Sequence, residues 1–340
     1  MRVAIIGAGH FGQGLFHAFE GASHNCLMYI RDPAKAQSAA EKFGADKVTT
    51  GLPDVDEFDH VFITTPAAAV PEVLAQLEGD HLSTSLWLVQ KGGLSKDIFQ
   101  DNRWNGVYYL TGAVLSESLL RGEIVGMIVA AYPSYRRADN GAEILIREIS
   151  NFWPVKWHDP MTIVHLNQLR TIVSLQRGMA DWELLGEPST LALVQASIEA
   201  EAAKITGMHR WDTCASADHD AECVRRILRA DENLCSSSGS RNYHVGLLIA
   251  QGSYPDEVRS RIENERGVVE SFNNVYEMCK KPGMSATDLP YLHCTKHILD
   301  GQLTVKEARK SLEGRRSGWL CVKYPFLWTK LCLPFCFYQC

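Results

Sequence analysis

Along the first half of the chain, short unbroken apolar runs alternate with stretches whose apolar residues return every three or four positions. Val3–Ile6, Leu27–Ile30, His60–Thr64, Leu86–Gln90 and Val107–Leu110 are the runs, and Phe11–Glu20, Pro33–Phe43 and Ala68–Leu77 are the helical stretches. Runs without polar alternation suit strands covered on both faces, and β–α alternation brings such strands into a parallel sheet. Ile124–Ala131, Asp139–Phe152 and Pro154–Trp157 extend this unit. From Thr162 onward the pattern is helical: Thr162–Ala180, Thr190–Thr206, Asp218–Ala230, Asp256–Lys280, Ala286–Asp300 and Thr304–Leu312, with turn signals between them at Gly186-Glu187-Pro188, Gly207, Ser236–Gly239, Gly252 and Pro282-Gly283. The pattern predicts an α/β chain: a parallel-sheet domain over 1–161, an all-helical domain over 162–318, and a tail over 319–340.

Composition narrows the function classes. With 340 residues, 46% hydrophobic and 22% charged, the chain has enough apolar material for two cores and is not a disordered or fibrous sequence. Its net charge of −6 argues against a nucleic-acid partner. A strand pattern from the second residue leaves no room for a leader, and no apolar run reaches the roughly 20 residues of a membrane span. The ten scattered cysteines read as reduced thiols, so the expected compartment is the cytoplasm. Cys332, Cys336 and Cys340 fall at i, i+4, i+8, but Pro334 interrupts that helix and no histidine accompanies them; no metal site is expected. The tail from Trp319 is either a docking segment or a non-native extension.

The candidate chemistry begins at Gly7-Ala8-Gly9-His10-Phe11-Gly12, a G-x-G-x-x-G run that follows a strand and opens a helix. In that setting the three glycines allow a tight turn, a close approach by a pyrophosphate and close helix–strand packing, and the helix start holds the anion. The first domain is therefore expected to be of the dinucleotide-binding Rossmann type, with His10 and Phe11 facing the ligand. The second strand ends at Arg31-Asp32; an acid there would hold a ribose hydroxyl and an arginine a 2′-phosphate, so the cofactor is NAD or NADP, the order favouring NADP. Pro66 follows a strand where cofactor would pass. Lys91 stands at the carboxyl end of another strand, where ligands sit in open α/β sheets. Downstream, Ser240-Arg241-Asn242 suits a phosphate grip, because guanidinium offers a planar fork. Glu270 opens a helix, where the dipole favours a carboxylate.

These motifs, in this order from Arg2 to about Leu312, resemble the NAD(P)-dependent glycerol-3-phosphate dehydrogenases. The resemblance implies reversible hydride transfer between nicotinamide and C2 of glycerol 3-phosphate, a small phosphorylated substrate, and commonly a homodimer. Position by position, it implies that Gly7, Gly9, His10, Phe11 and Gly12 form the pyrophosphate loop and that Arg31 contacts the adenosine end. Lys91 would be shared by cofactor and substrate. Gly112 and Val114 would lie at a substrate turn and Asp231 in the substrate domain. Ser240, Arg241 and Asn242 would grip phosphate, with Arg241 and Glu270 also near the cofactor. The family's proton-transferring lysine lies in a Leu-Lys-Asn stretch, and the matching stretch here is Leu169-Arg170-Thr171, in a register supported by Gly178-Met179-Ala180-Asp181. Val114 and Glu117 depart from the family turn as well.

An arginine there stays charged, so Arg170 can stabilise a developing alkoxide but cannot act as a base; a water or Lys91 would then move the proton. Two other readings follow from that departure: a relative acting on another small phosphorylated or phosphonylated carbonyl, and a non-catalytic NAD(P)-binding protein. No His-Glu-x-x-His helix, paired Cys-x-x-Cys set or Gly-x-Ser-x-Gly elbow is present. Asp54, Asp56 and Glu57 read as a solvated turn, and His158 and His165 as packed or surface residues.

Overall fold

The computed structural model describes residues 1–131, 139–157, 159–205, 226–227, 230–231, 233–235, 237, 239–266 and 268–319. His158, the tail beyond residue 319 and most of the expected Asp218–Ala230 helix lie outside them.

One sheet organises the first part. Strands β1 (Arg2–Ile6), β2 (Asn25–Tyr29), β3 (Val48–Thr49), β4 (His60–Ile63), β5 (His81–Leu88), β6 (Trp104–Ala113), β7 (Val125–Ala130) and β8 (Phe152–Trp157) stand in the order 3-2-1-4-5-6-7-8. Side chains sort by parity, as the pleat requires. Val3, Ile5, Met28, Phe62, Trp87, Tyr108 and Leu110 pack with Leu15, Phe16 and Phe19 of the helix His10–Gly21. Ala4, Ile6, Val61, Ile63, Leu86, Leu88, Val107 and Tyr109 pack on the other face with Val70, Leu74 and Phe99. Both faces are thus covered, which is why the strands read as unbroken apolar runs. Phe62, Trp87 and Tyr108 stack across β4, β5 and β6 at 5.0 and 4.7 Å between centroids. Burying each such ring contributes roughly 1.5–3 kcal/mol.

The structure corrects several boundaries. The sheet is not wholly parallel: β7 runs antiparallel to β6. The link between them holds only the short helix Ser116–Leu120 and a turn through Gly122 at φ +67°, so the chain doubles back instead of crossing over. Within the stretch Asp139–Phe152, the helix ends at Glu148 and Phe152 already belongs to β8. The helix expected over Asp256–Lys280 is two, Pro255–Arg266 and Glu270–Lys280, with Val269 extended ahead of the second.

The helical part is built on a crossing between Pro160–Glu183 and Arg241–Ala250. A Cβ on Gly178 would lie 2.1 Å from the Tyr243 carbonyl oxygen, and one on Gly246 would lie 2.1 Å from that of Leu175. Backbone therefore meets backbone, and Ser174 is carried against Ser240. The first turns of Pro160–Glu183 pack Ile163, Val164 and Leu166 onto the sheet. Its later turns join a separate cluster with Val245, Ile249, Phe272, Val275 and Leu292. This one helix links both cores. Among the described residues, no helix is long and apolar enough to cross a membrane.

Candidate active site

The carboxyl ends of β1, β4 and β5 lie side by side, and the strand order reverses direction between β1 and β4. That crevice is the ligand position in open α/β sheets. Gly7 turns the chain at φ +110°, with Thr64 Oγ1 donating to its carbonyl oxygen at 2.7 Å. A Cβ on Gly12 would fall 2.5 Å from that oxygen and 2.6 Å from Thr64 Oγ1. Gly9, by contrast, has open space where a Cβ would be. It caps the helix His10–Gly21 without any side-chain hydrogen bond, leaving that helix's first N–H groups to a ligand. A dinucleotide pyrophosphate fits this cradle. His10 is exposed and Phe11 half-buried beside it.

At the tip of β2, the Asp32 carboxylate accepts the backbone N–H groups of Ala34 (2.9 Å) and Lys35 (3.2 Å) and so caps the helix Pro33–Phe43. Arg31 is 80% exposed and pairs with Glu72 at 3.3 Å. Pro66 is exposed and starts the turn Ala67–Ala69. The acidic turn is exposed, as expected of a solvated one; Asp54 accepts from the Asp56 N–H at 3.1 Å, and Asp56 meets the buried His81 Nδ1 at 2.8 Å.

Lys91 follows β5 in a turn whose next residues, Gly92 and Gly93, have φ +105° and +71°. A Cβ on Gly92 would strike Gln168 at 2.4 Å and Asn274 at 2.8 Å, so the turn is seated against two helices. Asn274 Nδ2 donates to the Lys91 carbonyl (3.1 Å) and to Thr171 Oγ1 (2.8 Å). The preceding Gln90 side chain donates to the carbonyls of Ile63 (2.6 Å) and Thr65 (3.1 Å), fastening the ends of β4 and β5 together. Burial works against a charged Lys91, but Cys235, Asp231 and Glu270 outweigh it and hold the ammonium above the ordinary lysine range. Arg170 opposes them.

Arg170 lies on the long helix and makes a buried ion pair with Asp231; their side chains are 11% and 2% exposed. Burial, then Asp231, pushes the neighbouring Cys235 thiol up to about 11, so it is not a nucleophile at neutral pH. Ser240 caps Arg241–Ala250, accepting from Tyr243 N–H at 3.4 Å, and its hydroxyl lies 3.0 Å from that of Ser174. Arg241 Nη2 and Asn242 Nδ2 both donate to Glu270, at 3.1 and 3.4 Å. Asn242 Oδ1 accepts the Ser271 N–H at 3.1 Å. Lys91, Arg170, Asp231 and Glu270 thus form one electrostatic group, with Arg241 and Asn242 attached through Glu270.

Gly112 and Val114 have packing roles. A Cβ on Gly112 would lie 1.9 Å from the Gly126 carbonyl oxygen on β7, and Val114 is buried in the sheet core. Sequence reasoning missed Thr64, Gln90, Asn167 and Asn274. Thr64 and Gln90 end the strands β4 and β5, a position that could have flagged them. Asn167 and Asn274 are polar residues on helix faces that only the tertiary packing closes. Among the described residues, no group of three or more His, Cys, Asp or Glu side chains is placed to hold a metal ion.

Comparison with known proteins is consistent along the chain. Residues 159–310 match the family model described as NAD-dependent glycerol-3-phosphate dehydrogenase C-terminus, and residues 2–88 match that described as NADP oxidoreductase coenzyme F420-dependent. Along most of its length the chain is similar to the NAD(P)-dependent glycerol-3-phosphate dehydrogenases. Similar relatives named glycerol-3-phosphate dehydrogenase [NAD(P)+] include those of Hydrogenovibrio crunogenus, 22% identical over 94% of this chain and 96% of the relative, and Thermosynechococcus vestitus, 24% identical over 90% and 94%. The fold is that of the Coxiella burnetii glycerol-3-phosphate dehydrogenase, with a TM-score of 0.71, 17% identity, and 92% and 98% of the two chains covered. The Plasmodium falciparum glycerol-3-phosphate dehydrogenase gives a TM-score of 0.67 at 15% identity, over 91% and 94%.

Proposed function

We propose that this protein is an NAD(P)-dependent oxidoreductase that interconverts dihydroxyacetone phosphate and glycerol 3-phosphate. The observation that carries the reading is the cation group of Lys91 and Arg170, held against Asp231 beside a glycine cradle that fits a dinucleotide. The nicotinamide cofactor, when bound in that cradle, supplies a hydride to the ketone carbon or takes one from the alcohol carbon. Everything else falls to side chains. Arg241 and Asn242 bind the phosphate, which takes over the hydrogen bonds that Glu270 now receives. Arg170 faces the carbonyl oxygen as a fixed positive charge, fastened by Asp231, and stabilises the alkoxide that forms as hydride arrives. Groups aimed at such a developing charge contribute about 2.7–4 kcal/mol each. Lys91, charged at neutral pH, passes its proton to that oxygen and recovers one from solvent. Arg170 stays charged throughout, so it takes no part in the proton transfer.

The adenosine end supports NADP over NAD, because Asp32 is committed to its helix cap while Arg31 is exposed beside it. The family further supports a pair of copies as the working form and the cytoplasm as its compartment. A second reading, another small phosphorylated carbonyl as substrate, is favoured by the resemblance, which implies that Arg170 stands where the family carries its proton-transferring lysine. Following NAD(P)H absorbance with purified protein separates the two. Oxidation with dihydroxyacetone phosphate at a kcat/KM above that with other phosphorylated ketones and aldehydes supports the first reading. A preference for a different carbonyl supports the second, and no oxidation with any of them removes both.

A further inference from the structure

We propose that Asn167 is the positioning residue for Arg170, a role that rests on the functional reading above. Asn167 is 1% exposed and stands one turn before Arg170 on the same helix, where i and i+3 side chains meet. Its Oδ1 accepts a hydrogen bond from Arg170 Nη2. A guanidinium has no acceptor, so the carboxamide must turn its oxygen toward it. That fixes the other end: Nδ2 donates to the Tyr109 hydroxyl at 2.5 Å and to Thr111 Oγ1 at 2.9 Å, both on β6. Tyr109 in turn donates to the Gln90 carbonyl at 2.7 Å, on the residue before Lys91.

The consequence is geometric. Asp231 supplies Arg170 with its counter-charge, but Asp231 belongs to the helical part. Asn167 instead registers the guanidinium against the sheet, on the strand whose tyrosine also holds the backbone beside Lys91. The two cations are thereby set in one frame, at the sheet edge where carbonyl and hydride donor meet. A fully buried polar side chain with three partners on two elements specifies an orientation that an apolar side chain of similar volume cannot.

A double-mutant cycle tests this, using the full chain as wild type, Asn167→Ala, Arg170→Ala and the double variant, with dihydroxyacetone phosphate and NAD(P)H. Misplacing a reacting group by about an ångström costs on the order of 100-fold. Asn167→Ala is therefore expected to lose about 100-fold in kcat/KM, chiefly in kcat, with the NAD(P)H dissociation constant unchanged. The double variant should lose no more than Arg170→Ala alone, because Asn167 acts through Arg170. Additive losses, or a wild-type kcat in Asn167→Ala, overturn the proposal. If Asn167→Ala does not fold, Asn167→Ser runs the same cycle: a kcat loss that disappears in the Arg170→Ala background supports the role, and an additive loss overturns it. A wild type that turns over no dihydroxyacetone phosphate refutes the functional reading. The positioning role is then decided by the crystal structure of the variant, in which a displaced guanidinium supports it and an unmoved Arg170 overturns it.

Discussion

Glu270 receives hydrogen bonds from both Arg241 and Asn242, so the carboxylate of the helix start sits on the two side chains best suited to hold a phosphate. Its Oε1 is 3.1 Å from Arg241 Nη2, and the pair is only partly exposed, at 31% and 22%. An incoming phosphate must displace this internal anion. Glu270→Gln removes the competing charge. Partly exposed pairs are worth up to about 1 kcal/mol, so inorganic phosphate should inhibit the variant up to about fivefold more tightly than the wild type. Inhibition constants against dihydroxyacetone phosphate measure this; unchanged or weaker inhibition would show that Glu270 does not compete.

The glycine loop makes two opposite predictions. Gly9→Ala places its methyl in open space over the helix start, so the fold should keep its Tm while NAD(P)H binding weakens by at least about tenfold. Gly12→Ala forces a Cβ onto Gly7 O and Thr64 Oγ1 and should cost about 1–3 kcal/mol of stability as well as binding. Thermal melts and fluorescence titration with NADPH distinguish the two.

At the adenosine end, Asp32→Ala removes a helix cap and should cost about 1 kcal/mol of stability while leaving the NADP-to-NAD preference alone. Arg31→Ala should do the reverse. Charge-assisted hydrogen bonds are worth about 1.5–3 kcal/mol and Arg31 is exposed, so NADPH affinity should fall about tenfold with NADH affinity unchanged. Equal losses for both cofactors would remove Arg31 from the specificity determinants.

Acid should unfold the sheet domain through His60. Burial holds this imidazole at about 4, well below its ordinary 6.5; Asp59 opposes that shift, while His24 and the amino terminus add to it. Trp87 Nε1 points at His60 Nδ1 at 3.2 Å, which requires a free lone pair there. A lowered folded pKa stabilises the protein fully above pH 6.5, and that stabilisation is lost as pH falls toward 4. The gap corresponds to roughly 3 kcal/mol. Urea unfolding between pH 7 and 4 should show this loss, and His60→Gln should reduce it.

Much of the fold was legible because its signals are local. The unbroken apolar strands follow from a sheet covered on both faces, Gly7 and Gly12 mark a turn that other residues would not fit, and Gly9 leaves the helix start open. Lys91, Arg170, Asp231, Arg241 and Glu270 were each marked by position or resemblance, and the structure brings them into one group. What the sequence hid is non-local. The reversal of β7 depends on how Gly112 and Gly126 meet across two strands. The break at Val268-Val269 lies inside a run with helical periodicity. The buried carboxamides of Asn167 and Asn274 look like ordinary polar helix residues until β6 and the Lys91 turn close over them. Asp32 looks like a ribose ligand until its helix forms and takes the carboxylate as a cap.

Proton transfer by Lys91 fixes the direction in which pH acts. An ammonium held above the usual lysine range is ready to donate in the reducing direction and must be deprotonated before it can serve as base in the other. Oxidation of glycerol 3-phosphate should therefore keep climbing with pH through the ordinary lysine range without reaching a plateau. A plateau near neutrality would place the proton on another group.

The central claim is direct hydride delivery to a phosphorylated ketone in this cleft. The most direct measurement incubates the protein with dihydroxyacetone phosphate and NAD(P)H deuterated at C4 of the nicotinamide, and follows the product by mass spectrometry. The account predicts glycerol 3-phosphate carrying the deuterium at C2, with Lys91→Met slowing its formation sharply. Unlabelled product, or none while the cofactor remains bound, would contradict it.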